Sequence, residues 1–348
     1  MRSFLAAGAM LALLLPASAQ AATPLNPDTD PSRIDWSQLT AKLGPAPDAK
    51  GQRYGGVLKT LTNEYWRLLA SGYRNGARSS GSTVVVQAAQ GESDQIGQLS
   101  IMENMIGGGF RGLLISPQTD ANLQPAIDEA TKAGIPVVDV DDAVVPSIQH
   151  FVGNVQRDNG VRAARWFIAH HPAGGKVAII EGQAGVFAAV QRTAGFRSTI
   201  TQAHGFTLVA SVPGNWDRQQ SYDAATTILQ QHPDLVGFYC NNDTMALGVV
   251  EAVKAAGLLG KAAVIGTDGT NDAFTSIKAG ELTGTVDSFP ELTGEIALDV
   301  IERLVAGQSV PRVVVTPQAL VTKDNMSRYL GSTDAVKSAL IQDETQAR

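Results

Sequence analysis

The chain has 348 residues, 44% apolar and 17% charged, with a net charge of −6 and no basic block. Such a length suits two lobes, and the apolar share is ample for buried cores. The acidic balance argues against nucleic acid and anionic membrane as partners, and a single cysteine, Cys240, excludes a disulfide framework.

In chain order, the first segment reads as a leader. Arg2 supplies a positive start, Phe4 to Leu15 form an apolar run, and Ala19-Gln20-Ala21 is an A-x-A cleavage site. The spacing predicts a signal peptide over 1–21, with Ala22 as the mature N-terminus and no lipid anchor, because no cysteine follows the run. The run is too short to span a bilayer permanently. Export to the periplasm is the expectation, and outside the cytosol there is little NAD or ATP to bind.

Residues 22–51 are rich in Pro and Asp, with one helical piece around Trp36 to Leu43. They read as an N-terminal extension outside the core. From Tyr54 the rhythm becomes regular. Strand candidates begin near Tyr54, Thr83, Arg111 and Pro136, and a second set near Lys176, Thr207, Leu235 and Ala263. The spacing within each set is that of strand, turn, helix and turn. Between them lie amphipathic helices: Ile96, Leu99, Met102 and Met105 share one face behind a cap at Ser93 or Asp94. Runs such as Lys176-Val177-Ala178-Ile179-Ile180 are apolar throughout, the mark of parallel strands covered by helices on both faces. The predicted fold is α/β, with two doubly wound parallel-sheet lobes.

Ligands of such sheets bind outside the carboxyl ends of the strands. Those ends carry Lys59 through Trp66, then Asp139 through Asp142. Gln191-Arg192-Thr193 and Gly214-Asn215-Trp216-Asp217 follow, and last come Asn241-Asn242-Asp243, Gly266 through Thr270, and Asp287-Ser288. Tyr65, Trp66 and Trp216 offer flat apolar faces for a sugar ring. Asp, Asn and Arg offer acceptors and a fixed fork of donors for its hydroxyls. Asp243 reads as a helix cap or structural acceptor, and Cys240 as a buried small hydrophobe.

Other signals point away from nucleotide or metal chemistry. Gly107-Gly108-Gly109 precedes a strand, Gly257 to Ala262 lacks the Ser or Thr of a P-loop, and Gly182 to Gly185 has no acidic ribose reader. His170-His171 has no ligand partner at useful spacing. Neither a cofactor nor a metal is expected, and no G-x-S-x-G elbow supports a hydrolase.

Asn-Asp-x-Met-Ala-x-Gly at 242–248, Gly-x-Asp-Gly-Thr at 266–270, and Arg192 ahead of Phe196 are together specific. In them the chain, from about Tyr54 to about Lys323, resembles the type I periplasmic sugar-binding proteins of ABC importers, the ribose- and arabinose-binding group. The resemblance implies capture of a monosaccharide or polyol by lobe closure and delivery to an ABC permease in the inner membrane, with no catalysis. It implies ligand contacts from Asn63, Tyr65, Trp66, Asp141, Asp142, Arg192, Trp216, Asn242, Asp268, Lys59 and Ser288. It also implies a monomer, and three hinge crossings near 153–155, 287–289 and 315–317. The lobes would be 52–154 with 289–315, and 155–288 with 316–330, leaving 331–348 as a polar tail. Asp142 stands where ribose-type proteins carry Arg, and Ser288 where they carry Gln. Asp142 and Lys59 match the arabinose type, so the pocket is mixed. The alternative is a sensing role for a chemoreceptor or sensor kinase. A secreted glycosidase is kept in view by the paired carboxylates at the cleft, but it ranks below because Arg192 and Asn242 beside them and aromatic walls on both sides leave no room for a leaving group.

Overall fold

In the computed structural model, which describes residues 24–346, the strands fall into two sheets. The predicted signal peptide lies outside the described residues. The first strands are β1 (Ile34–Asp35), β2 (Arg53–Leu58), β3 (Thr83–Ala88), β4 (Leu113–Ile115), β5 (Val137–Val140) and β6 (His150–Gly153). Then come β7 (Gly175–Glu181), β8 (Phe206–Pro213), β9 (Leu235–Cys240), β10 (Ala263–Asp268) and β11 (Gly284–Asp287). β12 (Val313–Val315) and β13 (Ala319–Thr322) complete the set.

One sheet has the order β1-β12-β6-β5-β4-β2-β3 and the other β13-β11-β10-β9-β7-β8. Every pairing is parallel except β11 with β13. In each sheet the first core strand lies inside the second, so the strand order reverses between β2 and β4 and again between β7 and β9. Reversal points of this kind open a crevice at the strand C-termini. The continuous apolar runs are accounted for: β4 and β5 are buried at every residue, while the edge strand β3 alternates.

The chain passes from one sheet to the other after β6, back after β11, and across again between β12 and β13. The last passage explains the antiparallel strand. Residues 316–318 are too few for a parallel crossover. The chain leaves β12 at the cleft and enters the second sheet from the C-terminal ends of its strands, so β13 runs against β11.

Close backbone contact fixes the helices flanking the cleft. Gln156–His170 lies directly on Phe187–Ile200, where a Cβ on Gly160 would stand 2.0 Å from the Arg192 carbonyl oxygen and one on Gly195 would stand 2.0 Å from that of Arg157. No larger residue permits that approach, and it seats Arg192 deep between the lobes.

Two expectations are corrected. The described part of the expected N-terminal extension, residues 24–51, is not outside the core. β1 pairs with β12, Ile34 and Leu39 are buried in the first lobe, and Leu25 packs in a second cluster of the same lobe. The Asp28 carboxylate accepts the backbone N–H groups of Gln156 and Arg157 at 3.1 and 3.0 Å, capping the helix that follows the first crossing. Nor is 331–348 simply a polar tail, because helix Thr333–Gln346 places Leu340 in the first-lobe core. A two-residue strand and one lone leucine are too short to produce a periodic signal. Among the described residues no helix is long and apolar enough to cross a membrane.

Candidate functional site

Between the two sheets lies a small cavity lined by Asn63, Tyr65, Trp66, Glu92, Asp141, Asp142, Arg192, Trp216, Asn242 and Asp268. Each residue comes from a strand end, the loop after it or the first half of the next helix, where Arg192 stands in Phe187–Ile200. Asn63 caps helix Glu64–Ser80 by accepting from the Tyr65 N–H at 3.0 Å, and Asn242 caps Asp243–Ala255 by accepting from the Met245 N–H at 2.9 Å. Capping fixes their oxygens, and the Asn63 Nδ2 group donates to Glu92.

The first lobe supplies Tyr65 and Trp66, packed edge to face with ring centroids 4.9 Å apart. The Tyr65 hydroxyl donates to Asp141 Oδ2. The second lobe supplies Trp216, whose ring lies against Gly182; a Cβ there would come within 2.0 Å of the indole. The Trp216 Nε1 donor is buried without a partner.

Backbone strain concentrates here. Among the described residues the non-glycine positions with positive φ are Asp141, Asp142, Asn215, Trp216, Asp268 and Phe289. Four of them line the cavity. Such conformations persist only where the surroundings enforce them, and they cluster at functional sites.

A polar chain joins the lobes behind the cavity. Gln156 Nε2 donates to Asp141 Oδ1 at 2.7 Å, and Gln156 Oε1 accepts from Arg192 Nε at 2.7 Å. Arg192 Nη1 donates to the Asn241 carbonyl at 2.6 Å and reaches Asp268 Oδ1 at 3.4 Å. Asn159 links Gln156 to Gln318, which bonds both the N–H and the carbonyl of Val155. The network therefore runs from the cavity floor into two of the crossings. At the rim, Glu64 accepts from Asn271 Nδ2 at 2.9 Å and from the Asp272 N–H at 3.1 Å. The Ala188 N–H donates to the Asp142 carbonyl at 3.0 Å. These contacts join opposite lobes, so the cleft is closed.

Burial sets the electrostatics. It raises the Asp141 and Glu92 carboxyls, opposed chiefly by Arg192 and Lys59 respectively, and drives Asp268 well above the carboxylate range despite Arg192. Arg192 also feels burial most strongly, yet its carboxylate neighbours, Asp268 first, hold it fully charged.

Of the eleven residues expected from the sequence, nine line the cavity; Lys59 and Ser288 do not. Lys59 is fully buried behind Asp142, its Nζ bonded to Asp142 Oδ2 and 5.8 Å from the Trp66 ring centroid. Its charge is taken up by the protein. Ser288 is buried in the second crossing with no partner for its hydroxyl. Asp243 is a structural acceptor, bonded to the Gly269 and Thr270 N–H groups and to the Thr285 hydroxyl. Sequence reasoning missed Glu92. It follows β3 and accepts from Asn63 Nδ2 at 3.2 Å and Trp66 Nε1 at 3.0 Å. The strand-end rule would have found it, had the loop after β3 been read like the others.

Residues 54–309 match the family model described as periplasmic binding protein domain. The D-allose-binding periplasmic protein of Escherichia coli is 35% identical over 268 residues, 74% of this chain and 86% of that protein. The ribose import binding protein of Bacillus subtilis is 31% identical over 284 residues, 81% and 91% of the two chains. A solved ABC transporter solute-binding protein from Actinobacillus succinogenes with bound D-allose superposes with TM-score 0.77 at 29% identity, covering 80% of this chain and all of that one. One from Agrobacterium radiobacter in complex with D-arabinose gives TM-score 0.74 at 27% identity, covering 83% and 99%. With two facing doubly wound lobes, a closed cleft at their strand ends and these relatives, the chain belongs to the periplasmic binding protein family.

Proposed function

We propose that this protein captures a monosaccharide or polyol in the periplasm by closing its lobes around it, and presents the closed form to an ABC permease. The observation that carries the reading is the composition of the cavity wall. Aromatic rings come from both lobes, Tyr65 and Trp66 from one and Trp216 from the other, with Arg192, Asp141, Asp142, Asn63, Asn242 and Asp268 around them. Flat apolar faces suit the C–H faces of a sugar ring, and the fixed donors and acceptors suit its hydroxyls.

The enclosure supports a single ring, since the walls come from both lobes and close on a small space between them. The polar chain from Asp141 through Gln156 and Arg192 gives closure a reason: it assembles only when both lobes meet. Asp141, with both oxygens held by Tyr65 and Gln156, is a fixed acceptor rather than a mobile acid or base.

The reading is tested by calorimetric titration with aldoses, ketoses and polyols after unfolding and refolding to remove carried-over ligand. Tight saturable binding of one sugar, lost in Arg192→Ala and Asp268→Ala, is the expected result. Silence across the panel would overturn it, and turnover of a reporter glycoside would replace it with a hydrolase.

A further inference from the structure

The cavity wall holds an excess of negative charge. Four carboxyl groups line it, those of Glu92, Asp141, Asp142 and Asp268, and Arg192 is the one cation among the lining residues. Lys59 contributes from behind through Asp142. With Asp268 held protonated by burial, two cations face the three other acids, and a neutral sugar brings no partner for the odd one.

The four acids are not equivalent. Asp141 is bonded through both oxygens, Asp142 meets Lys59, and Asp268 meets Arg192. Glu92 has only uncharged donors, Asn63 Nδ2 and Trp66 Nε1, and both reach Oε1. Its Oε2 takes no hydrogen bond from the described residues. Burial pushes its carboxyl upward and Lys59 opposes that from a distance, so Oε2 is left as an open acceptor at the cavity wall. A second feature marks the same cavity as built for a ligand. Trp216 is only 6% exposed, lines the wall and has no acceptor for its Nε1 donor. A metal is not the missing cation, because among the described residues no group of three or more His, Cys, Asp or Glu could hold one.

We propose that the ligand is a polyhydroxylated ring carrying a protonated primary amine, an amino sugar or aminocyclitol, and that Glu92 selects it by accepting from the ammonium through Oε2. The proposal rests on the sugar-binding reading above and deepens it. Glu92 is half-buried in the closed cleft, and its carboxylate bonds a charged donor more strongly than a hydroxyl. Trp216 Nε1 then donates to a ring or hydroxyl oxygen on the other side.

The test uses the refolded chain from Ala22 onward at pH 7. D-glucosamine, D-galactosamine, D-mannosamine and an inosamine are each titrated beside the parent hexose or inositol and beside the N-acetyl derivative, which keeps the substituent but loses the charge. At least one amine should bind about tenfold or more tighter than both counterparts, and Glu92→Gln should bring that ratio within about threefold. Parents binding as tightly as amines in every pair would overturn the amine and leave the sugar reading intact. Binding by neither class would overturn both. An amine preference that survives in a folded Glu92→Gln would overturn the role of Glu92. Should that variant not fold, the wild-type ratio decides the amine question and Glu92→Asp decides the residue.

Discussion

Gln156 Oε1 accepts from Arg192 Nε at 2.7 Å while the same amide donates to Asp141 at 2.7 Å, so one side chain at the first crossing holds two cavity residues from opposite lobes. The charges of Asp141 and Arg192 are thereby aimed into the cavity and kept apart from each other.

Removing that side chain should therefore harm binding more than folding. In Gln156→Ala, Arg192 Nε and Asp141 Oδ1 each lose a buried partner, at about 1–3 kcal/mol apiece. Part of that cost appears as a lower melting temperature, and affinity for the sugar should fall about tenfold or more, near 1.4 kcal/mol. Calorimetry beside thermal unfolding checks the split. A variant with wild-type affinity would remove Gln156 from the account.

The second prediction concerns the wall formed by Trp216. Gly182→Ala places a Cβ 2.0 Å from the indole, so the ring must move. Because Trp216 sits at φ 64°, its backbone has little freedom to follow. Affinity should drop by more than about tenfold, near 1.4 kcal/mol, and the tryptophan emission of the unliganded protein should shift. Unchanged emission and affinity would mean that the ring does not define the wall.

Much of this site was legible from one rule applied to one pattern. The apolar runs named parallel strands, and the residues read after them include nine of the ten that line the cavity. What the rule does not give is which strand-end side chains the protein satisfies itself. Lys59 meets Asp142 across 83 residues of sequence, and no local pattern reveals that pair. Glu92 finds Asn63 and Trp66 at separations of 29 and 26 residues. Likewise Asp28 reaches the helix at Gln156 over 128 residues, so the segment that braces a crossing looked like a loose extension.

Stability of the unliganded protein should fall as pH rises through the acid range. Burial raises the carboxyls of Asp141, Glu92 and Asp268, and takes Asp243 to about 6. An unfolded carboxyl titrates near 4. Between those values the native state binds more protons than the unfolded one, so protonation favours folding. The stabilisation is present below about pH 4 and is lost as pH passes the raised native values, with Asp243 lost around 6. Thermal unfolding from pH 4.5 to 8 should show melting temperatures decreasing across this window, more weakly in Asp243→Asn. A flat or rising profile would contradict the raised carboxyls described for these buried groups.

The rim contact should control release. Glu64 joins helix Glu64–Ser80 of the first lobe to Asn271 and Asp272 of the second. Glu64→Ala removes two bonds that exist only in the closed form, so dissociation should quicken several-fold while association stays within about twofold, since contacts of this kind act on the off-rate. Stopped-flow tryptophan fluorescence separates the two rates. An effect confined to association would mean that the contact steers entry and does not hold the cleft shut.

The central claim is that a single polyhydroxylated ring lies between the aromatic walls of the two lobes. A crystal structure of the refolded protein with its tightest-binding ligand tests this most directly. The account predicts the ring packed between Trp216 and the Tyr65–Trp66 pair, with its polar groups on Arg192, Asp268 and Glu92. Density for the ligand elsewhere, for example in the second cavity lined by Phe274, Phe289 and Tyr329, would contradict it.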